Sequence, residues 1–231
     1  EEGIATALQA VLVSPHFLFR IEQDRVANDG ATSVPVSDLE LASRLSYFIW
    51  SSMPDAELLR LAEDGQLRST GVLAQQVYRM LRDEKSQALV ENFAGQWLQF
   101  KNIDVVRPDT QRFPEFDDGL RRSMRRETER FLWEIVREDR SIFEILAADY
   151  TFLDERLARF YGIAGVEGPE FRKVDVSTTD RGGGVLSQAS ILTISSHATR
   201  TSPVLRGKWV LEVLLDAPPR PPPPSVPPLD E

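Results

Sequence analysis

An all-α fold is predicted by three features of this sequence. Apolar residues recur every three or four positions from Ile4 to Tyr161, capping residues stand ahead of those runs, and only one segment reads as a strand. The architecture expected is a multi-helix bundle with a looser C-terminal part, a short strand and a polyproline tail. Ile4, Leu8, Val11 and Leu12 mark the first helix. Pro15 ends it, and Ser14 is placed to cap a second short helix through about Asp24. Asn28-Asp29-Gly30 opens a polar loop.

Ser37 and Glu40 form a capping box, after which Leu41, Leu45, Phe48 and Ile49 line one face as far as Trp50. Pro54 suits the opening turn of the next helix, which stops at Gly65. Leu73, Val77, Met80 and Leu81 form another apolar face. Asp83 is placed to cap a long helix with Leu89, Phe93, Trp97 and Phe100 along one side. Ile103 to Pro114 reads as irregular. The longest helix is expected from about Phe116 to Asp139, with Leu120, Met124, Phe131 and Ile135 inward.

A short helical turn follows at Ser141 to Ala147, and Asp154 caps a helix that ends at Tyr161-Gly162. Beyond Gly162 the sequence loosens: Phe171 to Val176 reads as the strand, and Gly182-Gly183-Gly184 as a flexible hinge. Val185 to Ser195 fits helix or strand, with helix preferred. Ser202-Pro203 opens a last helix through Leu215, with Val204, Leu211 and Leu214 facing inward. Eight of the chain's 15 prolines then fall between Ala217 and Pro228, the composition of an extended rod.

The 27 basic and 36 acidic residues give a net charge of −9, which disfavours nucleic acid as a partner. The basic run from Arg121 to Arg126 lies in a Glu-rich amphipathic pattern and reads as a solvated helix face. There is no cysteine, so these residues offer no disulfide, thiolate nucleophile, Cys-ligated zinc or haem thioether. No apolar run reaches the length of a membrane span, and the opening Glu1-Glu2-Gly3-Ile4 reads as the middle of a longer chain.

No catalytic or metal-binding motif emerges. His16, flanked by Phe17, Leu18 and Phe19, reads as a partly buried structural histidine, and His197 sits in a polar loop without a fixed partner. The glycine run lacks the Lys-Ser/Thr of a phosphate loop, and the carboxylates match neither a calcium loop nor a zinc motif. One constellation combines charge with a helix start: Arg200, Thr201, Ser202, Arg206, Lys208 and Trp209 make a candidate anion or docking site. The competing structural assignment makes Ser202 an N-cap, pairs the arginines with acidic groups or carbonyls, and buries Trp209.

Four segments carry a family likeness: Ser14 to Arg20, Leu41 to Trp50, Asp149 to Leu153 and Thr199 to Trp209, together with the ending Ala217-Pro218-Pro219. They resemble the planctomycete-type cytochrome c-like proteins, exported bacterial proteins built from serial domains of unknown function. On that likeness residues 1–28 end a preceding unit, 37–165 form one domain, and 170–231 begin another that runs into the proline-rich linker. A Cys-x-x-Cys-His haem-c motif typically lies downstream in such proteins, and its domain is the partner implied. At His197 this sequence departs from the asparagine expected of the family. The resemblance implies a periplasmic or secreted scaffold that positions a haem-c domain for electron transfer. The alternatives are an enzyme acting on polymer or carbohydrate, with Arg200, Arg206 and Trp209 lining a cleft, or a non-catalytic protein-binding module with a flat apolar patch.

Overall fold

The computed structural model describes residues 2–19, 22 and 34–220. The chain divides into two compact units: Glu1–Tyr47 with Met53–Gln75, and Phe48–Ser52 with Gln76–Glu231. The fold is mostly helical, as the apolar periodicity predicts.

In the first unit the helices Glu2–Leu12 and Pro15–Leu18 bury none of their residues, and Ile4, Leu8 and Phe17 are exposed. Ser14 makes no side-chain capping bond, and Phe19 is already extended, so the second helix is shorter than expected. A one-turn helix with no buried face has little to hold it beyond its first bonds. Asp24 and the loop at Asn28-Asp29-Gly30 lie outside the described residues. His16 is exposed rather than partly buried.

The capping box forms as expected at the helix Asp38–Trp50: the Ser37 N–H donates to Glu40 Oε2 at 2.6 Å, and the Glu40 N–H donates to Ser37 Oγ at 3.2 Å. At the next helix, Ala56–Glu63, Pro54 lies just outside, and Asp55 is the cap, accepting from the Leu58 N–H at 2.9 Å. Gly65 ends the turn with φ +65°. Among the described residues of this unit, Ala42, Pro54, Leu58, Leu61, Ala62 and Leu67 are buried apolar residues.

The second unit is organised on the 20-residue helix Asp118–Arg137. Asp117 caps it, accepting from the Leu120 N–H at 2.7 Å, and its inward stripe holds Leu120, Met124, Phe131 and Ile135, as the spacing predicts. Leu120 and Met124 pack with Ile103, Leu153, Leu157 and Ala189 in one cluster. Phe131, Leu132 and Ile135 belong to a second cluster that also takes Val90, Leu98, Tyr150, Val185, Ile191 and Trp209. The segments before and after residues 165–170 therefore share their cores.

Strand β1 (Tyr150–Leu153) pairs antiparallel with β2 (Arg172–Asp175), Tyr150 opposite Asp175 and Leu153 opposite Arg172. The second strand is the one expected; the first has no alternating pattern, because three of its four residues are buried on the long helix. Asp154 caps the helix Glu155–Tyr161 by accepting from the Leu157 N–H, and Gly162 closes it in the left-handed region. Val185 to Ser195 resolves into a 3₁₀ turn, Val185–Ser187, and a helix, Ala189–Ile194.

Several expected inward residues face out. Phe48 is 56% exposed, because the helix from Asp38 buries Ala42, Ser46, Ile49 and Trp50 instead, and the Trp50 indole donates to the Met80 carbonyl at 2.9 Å. Phe93 and Trp97 also reach the surface. Their helix runs through Gln87–Leu89, a π turn at Val90–Ala94 and Gly95–Trp97, and it buries Val90, Ala94 and Leu98. A π turn adds one residue per turn and so rotates the apolar stripe away from its α-helical register.

The glycine run is no hinge. A Cβ on Gly183 would stand 1.6 Å from the Ala148 carbonyl oxygen, and one on Gly184, at φ +75°, would stand 2.5 Å from that of Leu146. These glycines let two backbones touch. Gly183→Ala is expected to lower the melting temperature sharply, with a cost of about 3 kcal/mol or more from forced backbone movement. A flexible hinge would tolerate alanine, so an unchanged thermal midpoint would contradict this packing.

Candidate functional site

Of the six residues of the predicted anion site, Arg206 and Thr201 meet each other, and the others take separate places. Ser202 is buried and caps the last helix, Pro203–Trp209, by accepting from the Leu205 N–H at 3.2 Å. Trp209 is buried and its indole donates to the Leu98 carbonyl at 3.2 Å. Lys208 approaches Glu212 at 3.6 Å one turn on. Arg206 donates from Nη2 to Thr201 Oγ1 at 3.3 Å, while its buried Nε has no partner. Arg200 instead lines a small cavity with His197, well apart in role from Arg206 and Trp209. Neither Arg200 nor Arg206 forms an ion pair among the described residues. Ser202 and Trp209 thus take the structural places expected of them, and the two arginines do not.

The last helix also differs from expectation: Val204 is 80% exposed, and Leu211 faces out. Its final turns, Val210–Leu214, are a second π segment. Here the two π-containing helices exchange bonds. Trp97 donates its indole N–H to the Val213 carbonyl at 3.0 Å, and Trp209 donates to Leu98. Both acceptors are carbonyls at a helix C-terminus, which have no partner of their own within the helix. Each indole therefore satisfies an orphan group of the opposite helix.

This exchange positions a surface. Trp97 stacks on Phe93 (centroids 6.1 Å apart, planes at 29°), and Phe93 meets Phe48 edge-on at 5.5 Å. Phe48 and Phe93 are each half exposed. Three linked aromatic rings at the surface, adjoining the end of the last helix, are what sequence periodicity alone assigns to the core. The signal that separates them is absent from the pattern: an apolar stripe looks the same whether it covers its own core or a partner.

A second feature is buried. Glu127 lies 1% exposed on the long helix, where Thr151 Oγ1 donates to Oε1 at 2.7 Å and Tyr161 Oη donates to Oε2 at 2.5 Å. The Tyr161 hydroxyl accepts in turn from the Ala189 N–H at 2.8 Å, and the Arg181 guanidinium lies over the Tyr161 ring. Nearby on the same helix Thr128 shares a 2.6 Å bond with Ser190. Burial pushes the Glu127 carboxyl up to about 7, against the opposing pull of the Tyr161 and Thr151 hydrogen bonds and of Arg181. The same burial, together with Glu127, holds the Tyr161 hydroxyl well above its ordinary range. This cluster joins the long helix to β1, to the helix after it and to the 189–190 turn, so its first consequence is structural.

The native Glu127 carboxyl binds its proton more tightly than the unfolded one, so folding takes up a proton between the two pKa values. Stability from this group is fullest below the ordinary carboxyl range and falls as pH rises through about 7. The loss is expected to be about 3 kcal/mol across that window. Glu127→Gln should flatten the dependence and leave the variant more stable than the parent at pH 8, measured by urea unfolding. An equal pH slope in both proteins would show that Glu127 does not titrate there.

Among the described residues no group of three His, Asp or Glu side chains could hold a metal, and no helix is long and apolar enough to cross a membrane. No curated protein and no solved structure matches the chain. A family model described as PSD4, a protein of unknown function (DUF1592), matches residues 36–163. A second, described as PSCyt3, a protein of unknown function (DUF1588), matches residues 181–231. The first match covers more than half of the chain, which therefore belongs to the PSD4 family of planctomycete-type, cytochrome c-associated domains of unknown function.

Proposed function

We propose that this chain is a helical scaffold that docks a haem-c-bearing domain of the same exported protein, holding it for electron transfer in the periplasm or outside the cell. The observation that carries the reading is the exposed aromatic row Phe48, Phe93 and Trp97. Trp97 is bonded to Val213, only a few residues before the proline-rich segment that begins at Ala217. Residues 221–231 lie outside the described ones. A domain tethered through this segment starts its search beside the aromatic row, at high effective concentration. Exposed aromatic rings anchored by a rigid scaffold are the groups that carry most of the binding energy in protein interfaces.

The row is apolar and stacked, so it suits a partner surface that is itself apolar, such as the rim around a partly exposed haem edge. The name of the second matched family, PSCyt3, supports the choice of a cytochrome c-type partner. In this reading the chain contributes no chemistry of its own: it fixes orientation and distance, and the haem supplies the redox step.

Hydrogen exchange of residues 89–98 and 210–216 tests this in the full-length protein against the 1–231 chain. The expected result is slower exchange in the full-length protein, removed by the double substitution Phe48→Ser, Phe93→Ser with the thermal midpoint unchanged. Equal exchange in the two proteins would rule out docking on this face.

A further inference from the structure

A cavity of about 130 Å³ opens beside the loop that carries His197 and Arg200. Phe113, Phe116, Phe160 and Met124 supply apolar walls, and Glu115 joins Arg200 among its polar lining residues. The loop is tied down from across the sequence. The Asp109 N–H donates to the Ala198 carbonyl at 2.9 Å, and Arg112 Nη1 donates to the Thr199 carbonyl at 3.0 Å. The His197 N–H closes the loop on the Arg200 carbonyl at 2.9 Å. Asp109 is itself fixed, its Oδ1 accepting from the N–H groups of Gln111 and Arg112. Three consecutive loop carbonyls are thereby satisfied, and Arg200 is presented from a braced backbone.

The Arg200 guanidinium has no carboxylate partner among the described residues, although Glu115 lines the same cavity. A surface arginine is ordinarily solvated and unremarkable. Here it is set against an apolar hollow whose size is close to that of cavities of about 150 Å³ that take up benzene. A six-membered ring fills such a space, and a guanidinium at its mouth offers a two-pronged match to a carboxylate. Glu115 sets a limit on charge: one anionic group can be met by Arg200, while a second would face the glutamate.

We infer that this cavity binds a small monocarboxylic acid bearing an aromatic or similarly bulky apolar group, with Arg200 as the carboxylate partner. The ring lies among Phe113, Phe116 and Met124, and the carboxylate stays at the mouth beside His197. This site is independent of the docking face, which uses other residues at the far end of the last helix, and it stands or falls without it.

The experiment titrates phenylacetate into the 1–231 chain and follows the His197 ring protons by NMR. The chain has only two histidines, so His16→Gln assigns the signals. A saturable His197 shift with a Kd at or below about 1 mM is expected. Arg200→Gln should weaken binding at least about tenfold with the thermal midpoint unchanged, the loss expected when a charge-assisted bond is removed. Glu115→Gln should tighten it. Benzylamine, of the same size and opposite charge, should not compete. No saturable shift, an unaffected Arg200→Gln variant, or benzylamine binding as tightly as phenylacetate would each overturn the assignment.

Discussion

The second unit depends on one helix being buried from both ends of the sequence. Asp118–Arg137 carries eight buried residues, and at about 1.5 Å per residue it spans roughly 30 Å. No single neighbouring segment covers it. Its first turns need Leu153, Leu157 and Ala189, and its later turns need Leu98, Tyr150, Ile191 and Trp209. Residues of the PSD4 match and residues of the PSCyt3 match therefore contribute to the same two clusters. The boundary between two family descriptions falls inside one core.

That constraint explains features that look unrelated. Gly183 and Gly184 allow the chain to pass hard against residues 145–149 on its way back to the long helix. The Glu127 cluster then pins the returning segment through Tyr161 and the Ala189 N–H, and Thr128 holds Ser190. Finally the Trp97 and Trp209 indoles cap each other's helices across the seam. Burying Trp209 and using Trp97 as a cap leaves the aromatic row of Phe93 and Phe48 outside, available to something else.

Much of the local capping chemistry was readable in the sequence, although Ser14 makes no capping bond and Pro54 falls outside the helix it precedes. The capping box at Ser37 and Glu40, the caps at Asp83 and Asp154, the stop at Gly162 and the strand at 172–175 all follow from neighbouring residues. What escaped depends on distant partners. Strand β1 is four residues long and mostly buried, so no alternation marks it. Phe48, Phe93 and Val204 carry the same apolar signal as core residues. Glu127 is one of 36 acidic residues, yet its position three after Met124 and four before Phe131 puts it on the inward stripe. Arg200, Thr201, Ser202, Arg206, Lys208 and Trp209 lie within ten positions, but the first three precede the helix and the last three are on it, so closeness in sequence does not gather them at one site.

The shared core is the central claim, and dissection tests it most directly. Residues 34–165 and residues 34–220 are produced separately and compared by near-ultraviolet circular dichroism and urea unfolding. With Val185, Ile191 and Trp209 missing, the shorter chain should lack a fixed aromatic environment and a cooperative transition, while the longer one shows both. A shorter chain that unfolds cooperatively with a native-like aromatic spectrum would contradict the account, because residues 34–165 would then hold a core complete in themselves.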